Sequence, residues 1–130
     1  MYDIYYAHHQ WKYNTPEEAY ELDLIRRYFP NASIFNPATD LTTVESGDEH
    51  VIMRECLDAV RNSDILVFSS LDGCVGTGVF REVKEAQSKG KIVFYIYHNG
   101  LVTDFDVDER KESERTDRLY ANVLFPSWGN

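Results

Sequence analysis

The sequence has little that would point to a membrane, a secreted scaffold or a nucleic-acid partner. Only two of its 130 residues are cysteines, Cys56 and Cys74, and neither lies in a CxxC pattern; this excludes a disulfide framework and offers no metal or redox motif. No apolar run approaches the ~18 residues that span a bilayer. The opening Met1-Tyr2-Asp3-Ile4-Tyr5-Tyr6 has neither the basic region nor the apolar stretch of a secretory signal, so a cytoplasmic location is expected. Basic residues are scarce: 13 Lys and Arg stand against 22 Asp and Glu, a net charge of −9. That balance repels phosphate backbones, which argues against a nucleic-acid polymer as partner and leaves small molecules. Internal repeats and Ser/Gly-rich linkers are also lacking, and the length fits one domain over residues 1–130.

What is present is a real core composition, 43% hydrophobic and 14% aromatic, with β-prone runs alternating with helix-period segments, the mark of an α/β sheet. Tyr2 to Ala7 reads as a first strand. Thr15-Pro16-Glu17-Glu18 combines a capping Thr, a Pro at the first helical position and a Glu three residues after the cap, which predicts a helix start. Ala19, Leu22, Ile25 and Phe29 then share one face, and Pro30 ends the helix. Ser33 to Asn36 before Pro37 reads as a short second strand. From a cap at Asp48, the stripe Ile52, Met53, Cys56, Ala59 and Val60 predicts a helix to about Asn62. Asp64 to Ser70 is almost continuously apolar in its middle, as in a central parallel strand buried on both faces. A glycine-containing turn, Asp72 to Gly78, leads to a helix from about Val79 to Ser88, stopped by Gly90, and Lys91 to Tyr97 forms another buried strand. A last helix is expected over about Asp108 to Tyr120, and a last strand or tail over Asn122 to Phe125. The acidic positions Glu17, Glu18, Glu21 and Asp23, and the charged stretch Asp104 to Glu114, are expected to be solvated surface.

In an open α/β sheet, ligands bind at the carboxyl ends of the parallel strands. The turn after Ser70 is the most informative, because Gly73, Gly76 and Gly78 let a ligand or another backbone approach and the following helix presents free N–H groups. It is neither a GxGxxG fingerprint nor a P-loop ending in GK[ST], and a plain turn explains it equally well. Glu82, one turn into that helix, can point back to the strand ends, where a carboxylate acts as a nucleophile at an anomeric carbon; a surface glutamate is the competing reading. Trp11 and Tyr13 suit stacking on a flat base or packing of the loop. His8 and His9 lack a third partner at metal-ligand spacing, and Cys74 lacks a Cys-His pattern that would make it a nucleophile. Arg81 points about 100° away from Glu82 on the helix, toward solvent or a neighbouring subunit.

Three segments together resemble the nucleoside 2-deoxyribosyltransferase family. They are Asn62-Ser63-Asp64-Ile65-Leu66-Val67-Phe68, then Gly78-Val79-Phe80-Arg81-Glu82-Val83-Lys84-Glu85-Ala86, then Gly90-Lys91-Ile92-Val93. Ile4-Tyr5-Tyr6-Ala7 and Ala121-Asn122-Val123-Leu124 are similar to the family's first strand and its late Asn-containing segment. The resemblance implies a flavodoxin-like, doubly wound and mainly parallel sheet of about five strands with helices on both faces. It also implies cleavage or transfer at the N-glycosidic bond of a deoxynucleoside or nucleotide without metal or organic cofactor. Glu82 would attack C1′, Tyr5 would hold sugar and carboxylate, and Asn122 of a neighbouring subunit would touch the sugar's 5′ end. His8, Trp11, Gly76 and Gly78 complete the expected substrate contacts.

The sequence departs from the family where an acid eight residues before the strand-opening Asp is Cys56, where an Asp or Ser six residues before the nucleophile is Gly76, and where a Gly two residues beyond it is Lys84. Proton supply to the departing base would then fall to Asp72, His8 or His9. A non-catalytic nucleotide-sensing module and a glycohydrolase of another N-riboside, such as a dinucleotide, are the alternatives. The apolar tail residues Leu124, Phe125 and Trp128 suggest a homodimer or higher homo-oligomer.

Overall fold

The computed structural model describes residues 1–71 and 73–105 and the backbone of 108–109. Strand β1 (Asp3–Ala7) is followed by a 3-10 turn at Gln10–Lys12 and helix α1 (Pro16–Tyr28). Strand β2 (Ser33–Phe35) leads into a single helical turn, α2 (Pro37–Asp40), and then α3 (Glu49–Arg61). After β3 (Ile65–Phe68) come the two-residue strand β4 (Cys74–Val75), helix α4 (Thr77–Ser88), β5 (Ile92–Tyr97), β6 (Gly100–Val102) and β7 (Asp108–Glu109). The main sheet has the order β2-β1-β3-β5-β6. Its first four strands are parallel, with Ile4 opposite Ile65 and Leu66 opposite Val93, and β6 returns antiparallel on the edge. This is the α/β sheet that the strand and helix alternation predicts, in the flavodoxin-like arrangement that the family resemblance implies.

The caps act as the sequence suggests. The Thr15 side chain accepts from the Glu18 N–H and Pro16 opens α1, while Asp48 accepts from His50 and Val51 at the start of α3. Strand alternation sorts the core into two faces. Tyr5, Ala7, Leu66 and Phe68 pack with Cys56 and Val60 of α3 and Val79, Val83 and Ala86 of α4. Ile4, Tyr6, Ile65 and Val67 pack on the opposite face with Ile25 of α1. β3, at the centre of the sheet, is buried along its whole length.

Helix α1 corrects the sequence reading. Its buried positions are Glu18, Glu21, Leu24 and Ile25, whereas Ala19 is exposed. Glu18 and Glu21 therefore do not belong to a solvated acidic face; they turn inward because cationic and hydroxyl partners wait for them on the loops after β1 and β3. Helix α4 starts two residues earlier than expected, at Thr77, with Gly76 as its cap. Asp108 and Glu109, expected to open a last helix, instead pair their backbone with Cys74 and Val75. The remainder of that helix, Asn122 to Phe125 and Trp128 lie outside the described residues.

Candidate active site

A cavity of about 740 Å³ opens at the carboxyl ends of β1, β2 and β3. The loop after β1 contributes His8, His9, Gln10 and Tyr13, and the segment after β2 contributes Pro37 and Leu41. Helix α3 adds a wall containing Ile52, Met53 and Cys56, with Glu49 and His50 also lining the cavity; α4 brings Gly76 to Val79, Arg81 and Glu82. The space suits a small-molecule ligand, since such sites usually fall between about 300 and 1,000 Å³.

Glu82 is a buried, hydrogen-bonded group on the wall. It is 5% exposed, and its Oε2 accepts a hydrogen bond of 2.6 Å from the Tyr5 hydroxyl. Tyr5 lies wholly in the core and its ring stacks on Phe35 at 5.5 Å between centroids, so the donor is held from behind by packing. Burial pushes the Glu82 carboxyl up to about 7, opposed by hydrogen bonds from Tyr5 and Cys56 and by the Arg81 charge. The same environment keeps the donors protonated. Burial, reinforced by the Glu82 charge, raises the Tyr5 hydroxyl well above its ordinary value and pushes the Cys56 thiol up to about 12. Cys56 thus belongs both to the core stripe of α3 and to the cavity wall, as a neutral thiol beside the carboxylate.

The other predicted positions separate into those the cavity gathers and those it does not. Gly76 and Gly78 line it. Gly76 caps α4 with no side chain in the way, so the helix N-terminus reaches the wall bare. His8 also lines the cavity, but its ring is committed: Nε2 is 2.6 Å from Glu18 Oε2, Nδ1 is 3.3 Å from the Tyr6 carbonyl, and the ring stacks on Tyr6. Burial lowers the pKa of His8, opposed chiefly by its bond to Glu18. His9 shares the wall and accepts the Trp11 N–H at Nδ1. Of the two aromatic candidates, Tyr13 lines the cavity, whereas Trp11 is 42% exposed and does not. Arg81 is exposed but reaches the cavity wall, so it acts on Glu82 through its charge and does not form its hydrogen-bonded partner. Asp72 and Asn122 lie outside the described residues.

Sequence reasoning missed the paired carboxylates behind the wall, Glu18 and Glu21, and with them Lys12. It also missed His50. The available signal was the i, i+3 and i+7 spacing of Glu18, Glu21 and Ile25, which puts two acids on the stripe that carries an obvious core residue. Gly78 gives a direct test of the wall's tightness. A Cβ there would meet the Met53 Cε at 3.3 Å, the far end of a flexible side chain beside open space. Gly78→Ala is therefore expected to stabilise α4 by roughly 0.5–1 kcal/mol in urea unfolding, while narrowing the cavity next to Glu82; net destabilisation would mean that Met53 cannot yield.

No family model matches the sequence, and no curated protein matches it. Among solved structures, the chain is similar to a 2-desoxiribosyltransferase from Leishmania mexicana, with 15% identity and a TM-score of 0.51 over 95% of this chain and 100% of that one. At that identity the likeness establishes the shared fold: a five-stranded, mainly parallel α/β sheet with its loops gathered at the carboxyl ends of the strands.

Proposed function

We propose that the chain cleaves or transfers at the N-glycosidic bond of a deoxynucleoside or nucleotide, with Glu82 as the nucleophile. The observation that carries this reading is a buried carboxylate on a cavity of about 740 Å³, fixed by the Tyr5 hydroxyl at 2.6 Å, on a fold shared with a 2-desoxiribosyltransferase. In the first step Glu82 would form a bond to C1′ while the bond from C1′ to the base nitrogen breaks and its electron pair leaves with the base. In the second, water or an acceptor base would displace Glu82 and restore the carboxylate. Tyr5 would keep one carboxylate oxygen in place, leaving the other to attack. The proton for the leaving base is assigned to Asp72, ten residues before Glu82 in the sequence, and the sugar's 5′ end to Asn122 of a neighbouring subunit in a homo-oligomer. Tyr13 supplies an aromatic surface for the base. The enzyme is placed in the cytoplasm in this reading; among the described residues, no helix is long and apolar enough to cross a membrane.

One observation favours a second reading, a nucleotide-binding module without turnover. Beside Glu82, the only other carboxylate among the described cavity-lining residues is Glu49, on the first turn of α3, and the position nearest Glu82 on α3 carries a neutral thiol. Product formation from deoxynucleosides, their 5′-monophosphates and dinucleotides, with and without a free acceptor base, separates the readings. Base release is expected, with kcat/KM falling about tenfold per pH unit below about 7, because the nucleophile must be ionised and burial holds Glu82 at that value. A protein inert on the whole panel yet thermally stabilised by one member would be the binding module. Release from a dinucleotide alone would move the substrate to another N-riboside.

A further inference from the structure

We infer that Lys12 is a positioning residue that locks the two cavity-forming loops to one another, with Glu21 as its buried counter-charge. The inference rests on the cavity being the reactive site, and its test has one readout that does not depend on that reading. Lys12 is 3% exposed, and an ammonium group at that depth persists only when paired and hydrogen-bonded. Its Nζ lies 2.8 Å from Glu21 Oε2, 3.0 Å from Ser69 Oγ and 2.7 Å from the Ser70 carbonyl, so its three protons are all used. Glu17 approaches at 3.3 Å from the exposed side.

These partners come from different parts of the chain. Glu21 belongs to α1, whereas Ser69 and Ser70 follow the central strand and lead toward α4 and Glu82. Lys12 itself closes the 3-10 turn between the cavity-lining residues Gln10 and Tyr13. Glu21 is held in place by its other oxygen, which accepts from the hydroxyls of Tyr6 and Ser69. The Ser70 hydroxyl is fixed in turn at 2.7 Å from the Tyr95 hydroxyl on β5.

Lys12 does not line the cavity and cannot touch a ligand there. A buried ion pair adds little net stability over an apolar pair of similar volume; what it supplies here is direction, with one bond anchoring Lys12 to α1 and two, to Ser69 and Ser70, setting the spacing of one loop against the other. Spacing matters to a nucleophile, because a misplacement of about 1 Å is enough to cost on the order of 100-fold in rate.

Lys12→Met alone strands Glu21 without its cation, so the informative variant is Lys12→Met/Glu21→Gln, in which the amide oxygen still accepts from Tyr6 and Ser69. In the full chain, this double variant is expected to regain the wild-type unfolding midpoint lost by the single one. Amide hydrogen exchange in segments 8–14 and 69–78 is nevertheless expected to rise together by roughly tenfold. Base release should fall by a similar factor or more in kcat/KM, with its acid limb near pH 7 unmoved. Wild-type exchange in both segments, a rise in only one of them, or a double variant that stays unfolded would overturn the inference, since Lys12 would then serve the fold alone. If exchange rises in both segments while wild type and variant alike release no base, the coupling of the loops stands and the glycosidic reading falls.

Discussion

Replacing Glu82 by Gln is expected to reduce base release by at least roughly a thousandfold, because an amide cannot form the glycosyl ester that a carboxylate nucleophile forms, and at the same time to stabilise the fold in alkaline solution. A thousandfold loss corresponds to about 4 kcal/mol of transition-state stabilisation. The stability change has the opposite sign for a definite reason. A glutamate ordinarily ionises near 4.5, whereas burial holds the Glu82 carboxyl up to about 7. Across that window the unfolded chain releases a proton that the folded chain retains, so the Glu82 contribution is full below 4.5 and is lost as pH rises through about 7. The gap corresponds to roughly 3 kcal/mol. Gln, which carries no charge to desolvate, escapes this loss. Urea unfolding at pH 8 should find Glu82→Gln more stable than wild type by about 1–3 kcal/mol, with the difference gone at pH 4. An equal effect at both pH values would mean that the Glu82 carboxyl ionises at its ordinary value in the fold. An inactive but stabilised variant is the pattern of a residue placed for chemistry at the fold's expense.

His8→Ala is expected to be the most destabilising single change in the cavity wall, by about 2–4 kcal/mol in the same assay. The variant loses a hydrogen bond to a buried carboxylate, worth roughly 1.5–3 kcal/mol, and a stacked contact with Tyr6, worth about 0.5–1.5 kcal/mol. It leaves the buried Glu18 carboxylate with the Asn14 N–H as its remaining hydrogen-bond donor among the described residues. The effect should depend on pH. Burial lowers the His8 pKa from its ordinary 6.5, so its contribution is present above that value and is lost as pH falls through the lower, folded-state value. A loss below about 1 kcal/mol at pH 8 would show that the Glu18 bond and the Tyr6 stack do not operate together.

The sheet was legible because its signals are local. The apolar run Ile65 to Phe68 can only be a strand buried on two faces, and Thr15-Pro16 and Asp48 announce helix starts through capping chemistry that needs no tertiary context. Glu82 was legible for a related reason: a turn rich in glycine, a short step into a helix and a strand end define a direction in space. What escaped reading was set by pairing across the fold. Glu18 and Glu21 look like solvent-facing charge on α1 until His8 and Lys12 meet them from a loop whose course no local signal gives. The edge strand β6 was hidden in a similar way. Its hairpin uses His98 and Asn99, both at positive φ, between Tyr97 and Gly100, and the Asn-Gly pair that hints at such a turn is shifted by one residue from its usual place. Trp11 looked as good a stacking surface as Tyr13, yet the 3-10 turn at Gln10–Lys12 leaves Trp11 outside the cavity and Tyr13 on its wall.

The central claim is that a sugar becomes covalently attached to Glu82. Its most direct measurement is the mass of the protein and of its peptides after incubation with a 2′-fluorinated arabino nucleoside, whose electron-withdrawing fluorine slows hydrolysis of a glycosyl-enzyme more than it prevents formation. Release of the base and one sugar adduct per chain are expected, the adduct confined to the peptide that carries Glu82 and absent from Glu82→Gln. Base release with an adduct on another residue, or turnover that persists in Glu82→Gln, would contradict it.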